Sequence, residues 1–75
     1  MNQWINVNNK LPKINQKVLI YEEINGKGSF AIARYLSFKK LGDKQYFADK
    51  LRRGKYWIFS SVKYWMPIYS PEVPA

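Results

Sequence analysis

Residues 17–38 read KVLIYEEINGKGSFAIARYLSF, and this stretch decides the fold. In its first half, apolar side chains occupy both alternating sides, which is typical of a strand that is covered on two faces. Asn25-Gly26 then interrupts the pattern with a dipeptide that strongly favours a tight hairpin turn. The second half alternates again, from Ser29 to Phe38. The stretch therefore predicts an antiparallel hairpin that turns within Asn25–Gly28.

The residues after this hairpin continue the two-residue period of β-structure. Glycines mark two turns, KKLGDK (39–44) and RRGK (52–55). Strands are predicted at YWIFSS (56–61) and VKYWMPI (62–68), whereas QYFADKL (45–51) fits either a strand or a short helical turn. The sequence thus predicts a mostly β fold, either a small antiparallel β-barrel or a curved sheet of four to six strands.

Length and composition set the domain organisation and the location. Residues 1–75 are enough for a single small β domain, in which 69–75 is predicted to be an extended or frayed tail. No apolar run approaches the roughly 20 residues that span a membrane, and the first residues lack the pattern of a secretion signal. We therefore expect a cytoplasmic protein that does not bind membranes. A homodimer is possible, because a chain this small leaves apolar surface for a second copy to cover.

The side chains that most enzymes use are missing. The chain has no histidine and no cysteine, so the commonest general base and the thiolate nucleophile are absent. Glu22 and Glu23 are neighbours on a predicted strand and point to opposite faces. Asp43 and Asp49 lie among basic residues, where surface ion pairs are the expected role. The sequence predicts a protein without catalytic activity, bound metal or cofactor.

Positive charge is the strongest functional signal in the sequence. Thirteen Lys and Arg residues oppose five Asp and Glu residues, and the net charge is +8. Such a field attracts polyanions, and small barrels that bind single strands combine a basic groove with aromatic rings on which bases stack. The predicted contacts to nucleic acid or another anionic partner lie in and around the two turns: Lys39, Lys40, Lys44, Lys50, Arg52, Arg53, Lys55, Tyr35, Tyr46 and Tyr56.

Motifs at both ends of the chain resemble those of a protein family. WINVNNKLP (4–12) is similar to the W-I-S-V…R-L-P opening of the family known as domain of unknown function 551, and KYWMPI (63–68) to its T-H-W-M-P-L-P ending. VLIY (18–21) resembles the V-L-V-Y strand of that family. Asn6 replaces the usual serine and Tyr64 the usual histidine. The family occurs mainly in phages and prophages, so the resemblance implies such an origin and no established activity.

The two terminal motifs also predict a contact between the ends of the domain. Packing of the first segment against the last strand would close the sheet and bury large side chains, as a domain of this size requires. The predicted members of this clasp are Trp4, Val7, Leu11, Trp65 and Met66.

Three functions are compatible with these features. The first is nucleic-acid binding through the basic and aromatic surface. The second is viral inhibition of a host defence or regulatory protein, in which the chain binds an acidic or nucleic-acid-binding host protein directly. The third is a sponge that holds a nucleotide messenger between two subunits without chemistry. Each would operate in the cytoplasm of a bacterial host cell.

Overall fold

The computed structural model describes residues 3–68, and these residues build one six-stranded antiparallel sheet. The strands are β1 (Ile5–Asn6), β2 (Lys17–Ile24), β3 (Lys27–Phe38), β4 (Lys44–Lys50), β5 (Tyr56–Phe59) and β6 (Val62–Pro67). Two short 3-10 turns, Lys39–Leu41 and Arg52–Gly54, connect β3 to β4 and β4 to β5. The predicted mostly β fold is confirmed as an open, curved sheet, and the tail predicted at 69–75 lies outside the described residues.

The hairpin predicted from the opening stretch is present. β2 pairs with β3 along its full length, and the loop consists of Asn25 and Gly26 alone. Both residues have positive φ, 52° and 78°, as a two-residue type I′ turn requires to match the twist of its strands. The loop is therefore tighter than the predicted span Asn25–Gly28, and Gly28 belongs to β3.

The strand order β1-β6-β2-β3-β4-β5 forces the sheet to curl. Only Ser60 and Ser61 join β5 to β6, so Phe59 and Val62 lie at most about 11 Å apart. In a flat sheet, the three strands between β5 and β6 would hold them about 19 Å apart. The sheet therefore bends until β5 approaches β6, while β1 and β5 remain its unpaired edges.

The core lies on one side of the curled sheet, which we call the core face. Val7 and Phe59 come from opposite ends of the strand order, yet both pack against the same core. The rings of Tyr35 and Phe47 lie 4.9 Å apart within it. The buried side chains of the core are Val18, Ile20, Ala33, Tyr35, Phe47 and Trp65. Burial of these side chains is the main source of stability, at roughly 1.5–3 kcal/mol for each large one.

The clasp between the ends of the chain is present in the backbone. β1 pairs with β6, and Ile5 lies opposite Trp65. Trp65 is 2% exposed, and its Nε1 donates a hydrogen bond of 2.8 Å to the carbonyl oxygen of Lys10. Val7 is half-buried and packs against the core. Met66 is half-buried too, but it lies opposite Leu19 on the side of the sheet away from the core, so its predicted place in the core contact is wrong. Backbone pairing therefore ties the last strand to β1, and the indole of Trp65 ties it to the loop that follows β1.

Two predicted clasp residues are corrected by the structure. Trp4 and Leu11 are 40% and 48% exposed. Because Ile5 faces the core, the alternation of the strand turns Trp4 to the opposite face, where its ring lies 5.8 Å from that of Phe30. Leu11 lies at the mouth of a groove on the core face. The prediction that these two side chains close the core is wrong.

Gly28 provides a test of the packing on the face opposite the core. A Cβ at this position would overlap the ring of Tyr21, so we expect Gly28→Ala to displace that ring and to destabilise the protein by about 1–3 kcal/mol. Urea unfolding measures the change. Ser29→Ala is the control, because the Ser29 side chain is exposed and should change stability by less than about 0.5 kcal/mol. Equal midpoints for the two variants would contradict the packing of Tyr21 over Gly28.

Candidate anion-binding groove

The face of the sheet opposite the core carries the candidate site, and we call it the outer face. Residues directly opposite each other on paired strands share a face. Leu19 pairs with Ile32, and the next such pair is Tyr21 with Phe30, so these four side chains lie on the outer face. Phe30 is 64% exposed. Arg34 follows on the same strand with the same alternation, so the outer face presents apolar and basic side chains together.

Two adjoining cavities of about 370 and 630 Å³ form one groove on this face. Both are lined by Asn15, Leu36 and Tyr56, and we call the combined depression the basic groove. Its charged lining consists of Lys17, Arg34, Lys39, Lys40, Lys50 and one acidic residue, Asp49. Ammonium and guanidinium groups donate hydrogen bonds and accept none, so a groove with this lining favours an anionic ligand over a cationic one.

The two basic turns reach this groove from opposite ends of β4. A strand of seven residues separates its two ends by about 20 Å. The second turn nevertheless reaches across the outer face, because Gly54 and Tyr56 line the same cavity as Lys39 and Lys40. The ring of Tyr56 lies 5.5 Å from that of Phe38, which precedes the first turn. This contact holds the two turns together along one side of the groove.

The second turn has an unusual backbone. Arg53 has φ of 62°, a left-handed conformation that costs a long side chain about 1–2 kcal/mol. The amide of Leu51 donates a hydrogen bond of 2.7 Å to the carbonyl of Lys55, which closes the turn. Strained residues of this kind cluster at functional sites, and here the strain falls between two further basic residues.

Arg34 is the best-positioned guanidinium of the groove. Its Nη1 donates a hydrogen bond of 2.9 Å to the carbonyl oxygen of Asn15, which fixes the direction of the side chain. A guanidinium has five N–H donors in a planar fork. The donors beyond this one bond can contact two oxygens of a phosphate or carboxylate at once.

The structure brings part of the predicted contact set together. Lys39, Lys40, Lys50 and Tyr56 line the groove, and the ring of Tyr46 lies beside it, 6.1 Å from that of Phe38. The other predicted basic residues, Lys44, Arg52, Arg53 and Lys55, are exposed in and around the turns and line neither cavity.

The structure contradicts the prediction that Tyr35 contacts an anionic partner. It is 5% exposed and belongs to the core face, so its ring does not reach a ligand on the outer face. Burial raises the pKa of its phenol, because desolvation disfavours the phenolate.

Sequence reasoning also missed Lys17 and Arg34, which lie within strands. The available signal was the alternation that puts Arg34 on one face with Phe30.

An aromatic cluster occupies the other end of the outer face. The centroid of the Tyr21 ring lies 6.5 Å from that of Trp4, 5.3 Å from that of Phe30 and 6.3 Å from that of Tyr64. The four rings, which we call the aromatic cluster, line an apolar cavity of about 270 Å³. The outer face therefore carries a basic groove at one end and exposed rings at the other.

The comparison with protein families places this chain. A family model described as "Protein of unknown function (DUF551)" matches residues 3–73. The chain belongs to the DUF551 family. Membership predicted from the two ends of the sequence is thereby confirmed, and the matched span also includes the turns that build the groove. No curated protein and no solved structure shows significant similarity to this DUF551 member.

Membrane-spanning helices and clusters of metal-binding side chains were also sought in this family member. Within residues 3–68, no helix has the length and apolar character needed to cross a lipid bilayer. The same part of the chain contains no cluster of three or more acidic side chains that could hold a metal ion.

Proposed function

We propose that this DUF551 member binds single-stranded nucleic acid in the basic groove. The observation that carries the proposal is a single groove whose charged lining residues are five basic and one acidic. A net charge of +8 supports it, because it draws polyanions towards the protein. The rings beside the groove favour a single strand, since unpaired bases can stack on them.

The roles of the side chains follow from their geometry. The guanidinium of Arg34 can contact two phosphate oxygens at once, whereas the lysines act as point charges along the strand. The rings of Phe38 and Tyr56, 5.5 Å apart, lie within reach of a base whose phosphate contacts Lys39 or Lys40. Binding of this kind needs no bond to break, which agrees with a sequence that lacks histidine and cysteine.

Neutralising the second turn tests the proposal. Arg52 and Arg53 immediately precede Gly54, which lines the groove. Both arginines are exposed, so the variant Arg52→Ala/Arg53→Ala should fold like the parent. We expect it to bind a labelled single-stranded oligonucleotide at least about tenfold more weakly, or about 1.4 kcal/mol. Fluorescence anisotropy across a salt series measures the affinity, which should fall steeply as salt rises in the parent.

The matched control is Lys27→Ala/Lys63→Ala. Both lysines are exposed and line neither cavity of the groove, and neither adjoins a residue that does, whereas Arg53 adjoins Gly54. Lys27 also alternates with outer-face residues of β3, so it projects on the other side of the sheet. The control loses the same charge as the test variant and should keep its affinity within about threefold. If both variants lost the same affinity for the oligonucleotide, the effect would be explained by net charge alone. Failure of the parent to bind any oligonucleotide at low salt would refute the proposal.

Inhibition of a host protein is the second candidate function, and β5 is the observation that favours it. This strand is an edge of the sheet, and its Trp57 is 59% exposed. Exposed edge strands can pair with an extended segment of another protein. A pull-down from bacterial lysate, with and without nuclease, separates the candidates: capture that survives nuclease supports a protein partner.

The family resemblance supports a phage or prophage origin and a cytoplasmic location in the host for either function.

A further inference from the structure

We infer that the aromatic cluster stacks on an unpaired nucleobase of the same strand whose phosphates lie in the basic groove. The inference rests on the proposed function and adds to it a second contact point, a preference for single strands and a dependence on bases. Three properties of the outer face lead to it, namely the continuity of the surface, the separation of charge from rings, and the exposure of the rings.

The aromatic cluster and the basic groove lie on one continuous surface. Phe30 and Arg34 are on the same strand and the same face, four residues and therefore about 13 Å apart. Ile32, which lies between them, is 52% exposed. Nothing in the described residues covers this path, so a few nucleotides of a flexible strand can follow β3 from one end of the face to the other.

The cluster is suited to a base and unsuited to a phosphate. Its cavity is lined by four rings and by no basic side chain. The charged group beside it is Glu23, whose Oε2 accepts a weak hydrogen bond of 3.4 Å from the hydroxyl of Tyr21. A carboxylate repels phosphate, whereas exposed rings offer their faces to any base. The phosphates are thus directed to the groove and the bases to the cluster.

The arrangement of the rings supports stacking. Trp4 and Phe30 are tilted by 31° with centroids 5.8 Å apart, while Tyr64 lies on the other side of Tyr21. Gly28 lies under the ring of Tyr21, which holds the centre of the cluster against the sheet. A second copy of this chain is a poorer occupant of the cluster, because two molecules that each carry a net charge of +8 repel each other.

The test compares oligothymidylate with an abasic oligonucleotide of equal length, which has the same phosphates and no bases. We expect the parent to bind the strand with bases at least about tenfold more tightly. The variant Phe30→Ala/Tyr64→Ala should bind both strands alike, with an unchanged salt dependence, because the phosphate contacts of the groove remain. Both side chains are exposed, and circular dichroism verifies that the variant is folded.

Trp57→Ala is the matched control, since it removes an exposed ring from β5 on the core side of the sheet and should leave the preference for bases intact. Equal affinity of the parent for the two strands would overturn the inference and leave nucleic-acid binding standing. Absence of binding to both strands would overturn the inference together with the proposed function. A dimer in analytical ultracentrifugation that Phe30→Ala/Tyr64→Ala dissociates would assign the cluster to a second copy instead.

Discussion

Replacing Trp65 with alanine should destabilise the protein by about 3–5 kcal/mol, the range found when a large buried aromatic is removed. Trp65 is 2% exposed and touches the core, and its indole bonds to Lys10 across the clasp. A small domain has a total stability of only about 5–15 kcal/mol. The variant should therefore lose a large share of its stability and unfold at a much lower temperature, which thermal unfolding followed by circular dichroism measures.

The chain offers a matched control for this prediction. Trp57 is 59% exposed, so Trp57→Ala removes the same side chain from the surface and should change stability by less than about 0.5 kcal/mol. Trp65→Phe retains part of the packing but loses the indole hydrogen bond and some buried volume, and it should fall between the two. A Trp65→Ala variant within 1 kcal/mol of the parent would show that the core does not depend on the last strand.

Reversing the charge of Lys39 and Lys40 should have the largest effect on binding. Both line the larger cavity of the groove, so Lys39→Glu/Lys40→Glu removes two attractive contacts and adds two repulsive ones. We expect the affinity for a single-stranded oligonucleotide to fall at least about 100-fold at low salt, or about 2.7 kcal/mol. The slope of log affinity against log salt should become shallower by about 1.4, because each lost contact to a single strand contributes about 0.7.

Lys27→Glu/Lys63→Glu changes the net charge by the same amount away from the groove and serves as the control. Long-range repulsion should weaken its binding by less than about tenfold, with the slope of the parent. If both reversals weaken binding equally and with equal slopes, the anion is attracted by the whole molecule and the groove is not the site.

The fold was predictable to the extent that it depends on local signals. Asn25-Gly26 specifies a two-residue hairpin, and alternation then fixes which side chains of β2 and β3 share a face. Alternation alone does not say which face is inside. On β3 the face with the small Ala31 and Ala33 is the core face, while Phe30 is exposed. The small side chains leave space that large rings from neighbouring strands fill.

The same ambiguity explains the errors in the predicted site. Trp4 was predicted to help to close the core and Tyr35 to contact a ligand, whereas Trp4 is exposed and Tyr35 is buried. Lys39, Lys40, Lys50 and Tyr56, which surround the two glycine turns, line one groove, and their contact with an anionic partner stays a prediction. The reach of the second turn across the outer face depends on tertiary packing, for which the sequence carries no local signal.

The position of β6 in the sheet has a consequence for how the protein is synthesised. β6 is the last described strand in chain order, yet it lies between β1 and β2. While the ribosome is still making β6, one edge of β2 has no partner strand. The core side chains that Trp65 covers in the folded protein are then exposed to solvent. Closure then requires contacts between strands whose paired residues lie 40 to 49 positions apart in sequence, which slows folding. We therefore expect released chains truncated before residue 62 to remain open to proteolysis, and chains that include residues up to 68 to be resistant. Resistance of the shorter chains would show that the hairpins fold without β6.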